Sequence, residues 1–173
     1  MRRAFEVVPP DARMVWLLPA ISLGAATIGI AFAAREEPRA WLLLIVIALV
    51  CAVIAWSLRR RTVAIDGDTL RVAAGLNSAA IPLDALDIAS ARIVDLDSEP
   101  GLRPLLKTFG TSMPGFHAGH FRLRDRSRGF LLLTTRRKVL ALRERDGRTL
   151  LLSLVRPQAL IDALGERATR KGR

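Results

Sequence analysis

The chain contains no tyrosine and a single cysteine, and motifs of enzyme chemistry are scarce. Because Cys51 has no possible partner, an intramolecular disulfide is excluded and cysteine usage gives no sign of an oxidising compartment. No serine occupies a nucleophile elbow, and no glycine-rich loop carries a phosphate-binding lysine. The sequence therefore predicts a protein that is not an enzyme and that needs no cofactor.

Potential metal ligands are also few. His117 and His120 are the only histidines and are spaced H-x-x-H in a glycine-rich segment. Because zinc takes three or four protein ligands, we interpret this pair as part of a polar loop. Asp95, Asp97 and Glu99 alternate, but no oxygen-rich loop of the calcium type accompanies them, which favours a solvated strand face. We therefore predict no metal site.

Charge is absent from two long apolar runs, residues 14–34 and residues 41–58. At a rise of about 1.5 Å per residue, each run is about long enough to cross a hydrocarbon core as a helix. The runs predict a transmembrane hairpin with an external loop at 35–40, preceded by a cytoplasmic N-terminal segment at 1–13. The alternative is a cleaved signal peptide, which the small residues around 31–33 suggest.

Basic residues around these runs predict the topology. The external loop contains two arginines, whereas six flank the outer ends of the runs. Since short basic flanks stay in the cytoplasm, both termini are expected there, in a multi-pass protein of the cell (inner) membrane. The six flanking residues are Arg2, Arg3, Arg13 and the juxtamembrane set Arg59, Arg60 and Arg61.

The remainder of the chain has the pattern of short strands closed by a helix. Asp66-Gly67 and Asp146-Gly147 each separate two β-type runs, which is a strong hairpin signal. About seven short strands at close spacing indicate a small antiparallel barrel or sandwich within residues 62–166. Pro157 suits a first helical position, and the helix that it begins has an apolar face formed by Leu160, Ile161 and Leu164. Residues 167–173 form a basic tail.

The segment from Arg103 to Phe121 contains Phe109-Gly110, Pro114-Gly115 and Gly119-His120-Phe121. Together with the later Asp-Gly turn and the final helix, it resembles the bacterial pleckstrin-homology-like (PH-like) domains over about residues 62–166. Several membrane-anchored members of that family look alike in placing two transmembrane helices first. The resemblance implies an α+β membrane protein, with a PH-like antiparallel β-barrel or sandwich and a C-terminal capping helix.

One departure from that family concerns ligand binding. Phosphoinositide-binding relatives use a basic cluster around the first strand pair, but residues 62–74 offer Asp66, Asp68 and a single Arg71. The C-terminal helix also lacks the tryptophan common in those relatives. No phosphoinositide-binding residue is therefore carried over to this chain.

Glycine is concentrated between Gly110 and Gly119. We interpret this segment as a long connection that needs tight bends, one of them set by Pro114. The alternative is a ligand-binding loop that offers exposed backbone amides, since long loops are often functional.

Basic charge is concentrated after residue 101, where 17 basic residues face five acidic ones. Arg122 and Arg124 alternate with apolar residues and are predicted to share a strand face. This charge is either a solvated surface or a contact site for an anionic bilayer, an acidic partner or nucleic acid. The candidate contact residues are Arg122, Arg124, Arg126, Arg128, Arg136, Arg137 and Lys138.

These features predict a membrane-anchored PH-like module that is integral to the lipid bilayer. We expect it to assemble with itself or with another membrane protein, to contact the anionic membrane surface, or both. The alternative is a regulatory subunit or accessory domain of a membrane enzyme or transporter. Nucleic-acid binding is disfavoured, because aromatic residues for base stacking are scarce.

Overall fold

The computed structural model describes residues 2–33, 41–75 and 77–171. The described chain forms two β-sheets and three α-helices. The helices are α1 (Ala12–Ala33), α2 (Trp41–Arg59) and α3 (Pro157–Lys171). The predicted external loop, 35–40, lies outside the described residues.

The first sheet has four antiparallel strands in the order β1-β2-β3-β4. Gly67 has a φ of 58° in the predicted turn between β2 and β3, a conformation that glycine adopts without steric cost. The strands are β1 (Arg2–Phe5), β2 (Arg61–Asp66), β3 (Thr69–Ala74) and β4 (Asn77–Pro82).

The second sheet has six strands in the order β5-β9-β10-β8-β7-β6. Strands β8 and β10 are parallel, whereas the other neighbours are antiparallel. The predicted turn at Asp146-Gly147 joins β9 to β10. The strands are β5 (Leu86–Val94), β6 (Pro104–Met113), β7 (Phe116–Leu123), β8 (Arg128–Leu133), β9 (Val139–Glu144) and β10 (Thr149–Ser153).

The main core combines residues of both sheets with α3. Buried Ile65 and Val72 of the first sheet belong to the same cluster as Leu132 of the second sheet and Leu164 of α3. A second cluster lies on the opposite face of the six-stranded sheet, because Leu131 and Leu133 alternate with Leu132 along β8. The crossing segment, residues 95–103 between β5 and β6, covers that face with Leu96 and Leu102.

The predicted transmembrane hairpin is wrong. The apolar runs do form α1 and α2, but a span needs about 20 apolar residues in one helix. Among the described residues, no helix is long and apolar enough to cross a membrane. The fold class is therefore corrected to a two-sheet β-sandwich with three helices in the described chain, and the multi-pass inner-membrane assignment is withdrawn with it. Several apolar side chains of the two helices are exposed, including Ile28 and Leu49.

The N-terminal segment was predicted as a separate stretch, but its first residues form the edge strand β1. Ala4 pairs with Ala64 of β2, and Val7 bridges to Leu154 beyond β10. The Val8 N–H donates to the Ser153 carbonyl at 3.0 Å, which connects this segment to the second sheet. Ten strands are therefore present in the described chain instead of about seven.

Candidate functional site

The glycine-rich segment is a hairpin of two paired strands. Gly110 of β6 lies opposite Gly119 of β7, and only Pro114-Gly115 form the turn between the strands. A Cβ added to Gly119 would collide with the Phe109 carbonyl oxygen and would lie 2.8 Å from the Gly110 Cα. These glycines therefore allow close approach of two strands, which corrects the prediction of a long connection.

The predicted basic residues do not form one patch. The interval from Arg122 to Arg128, called the basic hairpin below, contains the end of β7 and the turn into β8. Arg136, Arg137 and Lys138 follow the other end of β8. A strand of six residues separates the two groups by about 15–20 Å.

Arg122 and Arg124 line different cavities because β7 ends at Leu123, so the strand alternation does not continue. Arg122 lies directly opposite Arg128 and both border a groove between β4 and β6. Arg124 instead borders a cavity on the outer face of the six-stranded sheet. The two arginines thus do not share a strand face as predicted.

Two exposed leucines adjoin the basic hairpin. Leu105 and Leu106, the β6 leucine pair, are 61% and 62% exposed. Leu106 pairs with Arg122 across β6 and β7, and Arg122 pairs with Arg128 across β7 and β8. Since neighbouring strands are about 4.8 Å apart, Leu106, Arg122 and Arg128 form a row within about 10 Å, with one apolar side chain beside two cationic ones.

The cavity bordered by Arg124 is called the arginine cavity below. It has a volume of about 440 Å³ and lies between the crossing segment and the β6–β7 hairpin. Arg103 of the crossing segment and Arg136 of the β8–β9 loop also line it, with His117 and Thr134. Its other walls include the apolar side chains of Leu96, Met113 and Leu133.

The two predicted polar-loop histidines lie in β7 and border different cavities. His117 Nδ1 lies 2.9 Å from the Ser112 hydroxyl, and its ring packs edge-on against Phe121. Burial and the nearby charge of Arg136 lower the pKa of His117. His120 packs against Phe130 at a ring separation of 5.0 Å. Within the described residues, no three potential ligands form a metal-binding group.

The alternating acidic residues contact arginines. Asp97 accepts a bond from Arg103 Nη2 at 2.9 Å and lies 3.8 Å from Arg136 Nη1. Glu99 forms an ion pair with Arg92 at 2.7 Å. Asp95 accepts the Asp97 backbone N–H at 2.9 Å. The carboxylates of Asp97 and Glu99 therefore contact guanidinium groups.

The predicted juxtamembrane arginines lie at the junction of α2 and β2. Arg59 ends α2, and Arg60 lies over the Trp56 ring at 5.5 Å. Arg61 begins β2, and its Nη1 is buried without a hydrogen-bond partner in the described structure. Burial lowers the pKa of Arg61.

Sequence reasoning missed Arg103, Thr134 and the β6 leucine pair. Arg103 and Thr134 are far apart in sequence. They line the same cavity only because the crossing segment lies over the sheet. The leucines did carry a signal, since two adjacent apolar residues in a regular strand cannot both face the core, and a register shift between Pro104 and Leu106 leaves both of them exposed.

Comparisons with known proteins identify a family. The model of a family described as "Bacterial PH domain" matches residues 61–168. No curated protein and no solved structure matches the chain. The matched region contains nine of the ten described strands and most of α3, and it includes both cavities. The chain therefore belongs to the bacterial PH domain family.

Proposed function

We propose that this protein is a non-enzymatic module that contacts an anionic lipid surface through the basic hairpin and the β6 leucine pair. PH domains are generally non-catalytic modules for protein or lipid contact. The observation that carries the proposal is the row formed by exposed Leu106 with Arg122 and Arg128 on the neighbouring strands, with exposed Leu105 adjacent to it. Such a surface suits the boundary between charged headgroups and acyl chains.

The basic hairpin has an excess of positive charge. It contains four arginines and one acidic residue, Asp125. Asp125 accepts bonds from the backbone N–H and the hydroxyl of Ser127, so its carboxylate stabilises the turn. Within the described structure, none of the four arginines forms a salt bridge. Their charge therefore remains available to an external anion.

The arrangement of Arg122 and Arg128 also favours an anionic partner. Like charges directly opposite on neighbouring strands destabilise a sheet. An anionic surface would relieve this repulsion. Each basic residue near such a surface contributes about 1 kcal/mol, and full burial of a leucine side chain contributes about 1.5–3 kcal/mol.

The basic residues at the other end of β8 are not needed for this contact. A surface that meets the basic hairpin end-on leaves Arg136, Arg137 and Lys138 at the opposite end of β8. Because electrostatic attraction decays over about 8 Å at physiological salt, these residues add little in that orientation.

Protein assembly is the second candidate function, and the free edge of β4 supports it. β4 ends the four-stranded sheet, and the groove beside it also contains Phe109 and Leu106 of the edge strand β6. An open sheet edge beside a groove with both apolar and charged walls can accept an extended segment of this protein or of another. A photo-crosslinking residue at exposed Ser78 should then capture a discrete partner, whereas one at exposed Arg143 should not. Equal capture at both positions would contradict an edge-specific contact.

An environment-sensitive fluorophore can test lipid contact at the leucine pair itself. In a Cys51→Ser background, Leu105→Cys gives one labelling site on β6. We expect a blue shift with vesicles that contain anionic lipid, and its loss when the salt concentration is high. A label at exposed Arg143→Cys serves as the control and should not shift. No shift at position 105 with anionic vesicles at low salt would contradict the proposal.

A further inference from the structure

We propose that the arginine cavity binds a phosphomonoester group. The site lies on the outer face of the six-stranded sheet and is distinct from the β4–β6 groove. The same chemical group could come from a small phosphorylated molecule or from a lipid headgroup with a terminal phosphate. Arg124 belongs both to the basic hairpin and to this cavity. The inference does not otherwise depend on the surface contact proposed above, because Arg122 and Arg128 border the other groove.

The cavity has the size and composition of a ligand site. Its volume of about 440 Å³ lies within the usual range of about 300–1,000 Å³ for small-molecule pockets. Apolar walls from Leu96, Met113 and Leu133 accompany a few polar groups. Such a combination leaves room for a phosphate and a short organic portion.

The charge balance around the cavity favours an anion with two negative charges. Arg103, Arg124 and Arg136 line it, and Asp97 is the one carboxylate in contact with these arginines in the described structure. Asp97 itself does not line the cavity. Three cations against one carboxylate leave an excess that matches a phosphomonoester dianion, and guanidinium groups suit phosphate oxygens geometrically.

One of the three arginines is held in place before any ligand binds. Arg103 Nε donates to the Leu96 carbonyl at 2.6 Å, and Nη2 donates to the backbone and side chain of Asp97 at 3.2 and 2.9 Å. These bonds fix the guanidinium plane against the crossing segment. A fixed donor loses less conformational entropy when it binds an anion.

Thr134 provides an independent indication of a missing partner. It lines the cavity, is 9% exposed, and its Oγ1 is buried without a hydrogen-bond partner in the described structure. A buried hydroxyl without a partner is unfavourable, so such groups in a folded protein need an explanation. Because Thr134 lines the cavity, a rotation of its side chain could turn this hydroxyl towards a phosphate oxygen bound there.

His117 also borders the cavity and lies near Arg136. Burial lowers the pKa of this histidine, and the charge of Arg136 lowers it further. The neutral ring shares a hydrogen bond with Ser112 and offers its other nitrogen to a ligand.

Binding can be measured on the full chain with two probes. Glycerol 3-phosphate presents the phosphomonoester in solution, and vesicles with phosphatidic acid present it on a lipid. Vesicles with phosphatidylglycerol at the same charge density control for charge alone. Binding of glycerol 3-phosphate identifies a small-molecule source, whereas binding only to phosphatidic acid identifies a headgroup source.

Arg136→Gln should weaken phosphomonoester binding by roughly ten- to a hundredfold, as expected for loss of one charge-assisted hydrogen bond. Arg137→Gln is the matched control, because Arg137 is adjacent, exposed and outside the cavity lining. Thr134→Val should raise the melting temperature without ligand and yet weaken binding, because it removes an unpaired buried hydroxyl.

The proposal is overturned by either of two results. One is no binding of glycerol 3-phosphate together with no preference for phosphatidic acid over phosphatidylglycerol. The other is an equal loss of binding in Arg136→Gln and Arg137→Gln, since that would show a general charge effect instead of a site.

Discussion

Gly119 allows β6 and β7 to approach more closely than a side chain would permit. Its φ is 118°, which residues with a Cβ rarely adopt, and it faces Gly110 across the hairpin. The pair holds the backbone that carries both the β6 leucine pair and His117. Gly119 therefore belongs to the hairpin that contributes residues to both candidate contact surfaces.

Gly119→Ala should lower the melting temperature clearly, because the added Cβ would collide with the Phe109 carbonyl oxygen. We expect a loss of about 1–3 kcal/mol from backbone strain. Gly165→Ala is the control, since nothing lies within 4 Å of that position in α3 and alanine favours helix. Thermal unfolding should show destabilisation for the first variant and a small stabilisation for the second; an unchanged first variant would contradict the close approach.

Glu144 gives a prediction for pH dependence. Burial raises its pKa, Asp146 raises it further, and Arg148 opposes the shift. A carboxyl whose folded pKa is raised costs stability above that pKa, and the cost disappears as pH falls towards the unfolded value of about 4.3. Glu144→Gln should therefore raise the melting temperature at pH 7, and the difference from wild type should vanish near pH 4. A difference independent of pH would contradict this explanation.

At the scale of elements, the edge strand β1 completes the sandwich from a distant part of the sequence. It pairs with β2 although α1 and α2 lie between the two strands in the sequence. Phe5 and Val7 pack against the main core. A fragment that begins near Arg60 therefore lacks one strand. Residues 62–166 could therefore fold alone only if β2 tolerates an open edge.

Replacement of Phe5 and Val7 by alanine should destabilise the full chain by about 1–3 kcal/mol, because both side chains are half-buried against the core. Glu6→Ala is the matched control, since Glu6 is exposed between them. Chemical denaturation should show an earlier midpoint for the double variant alone. Equal midpoints would mean that β1 is not docked in solution.

Helix α3 contributes its predicted apolar face to the core. Leu160 and Leu164 are fully buried, and the helix begins at Pro157 as the sequence indicated. It also contacts the first sheet, since Arg167 donates to the Gly67 carbonyl and Arg3 lies 3.6 Å from Glu166. The helix continues through Lys171, so most of the predicted basic tail is helical.

Leu164→Asp should destabilise the protein by several kcal/mol, because an unpaired carboxylate would be buried in the core. That is a large part of a typical stability of about 5–15 kcal/mol. Ala168→Asp places the same charge on an exposed position of α3 and should change little. If the two variants melt at the same temperature, α3 does not dock as described.

For the whole molecule, local sequence signals predicted local structure well. Both Asp-Gly turns and the start of α3 lie where the sequence placed them, because their chemistry involves only neighbouring residues. Long-range features were missed. β1 is short and charged, and its pairing spans more than 50 residues. Glycines that suggested a loop instead permit two strands to touch, and apolar runs alone did not establish a membrane span.

The candidate sites show the same division. The sequence predicted that Arg122 and Arg124 share a strand face, but β7 ends at Leu123 and the two arginines border different cavities. The arginine cavity depends on a crossing segment whose path over the sheet has no local signal. The positive charge of the basic hairpin is visible in the sequence. The position of Leu106 beside Arg122 follows only from the strand register.

The most direct test of the proposed surface contact compares two variants with the same loss of charge. One changes Arg122, Arg126 and Arg128 to glutamine, and the other changes exposed Arg143, Arg145 and Arg156 to glutamine. The measured quantity is the ratio of full-chain binding to anionic over neutral vesicles at low salt. We expect the first variant to lose about a hundredfold in this ratio, since three basic residues contribute about 3 kcal/mol, and the second to lose far less. Equal losses, or a wild-type protein with no preference for anionic vesicles, would contradict lipid contact through the basic hairpin.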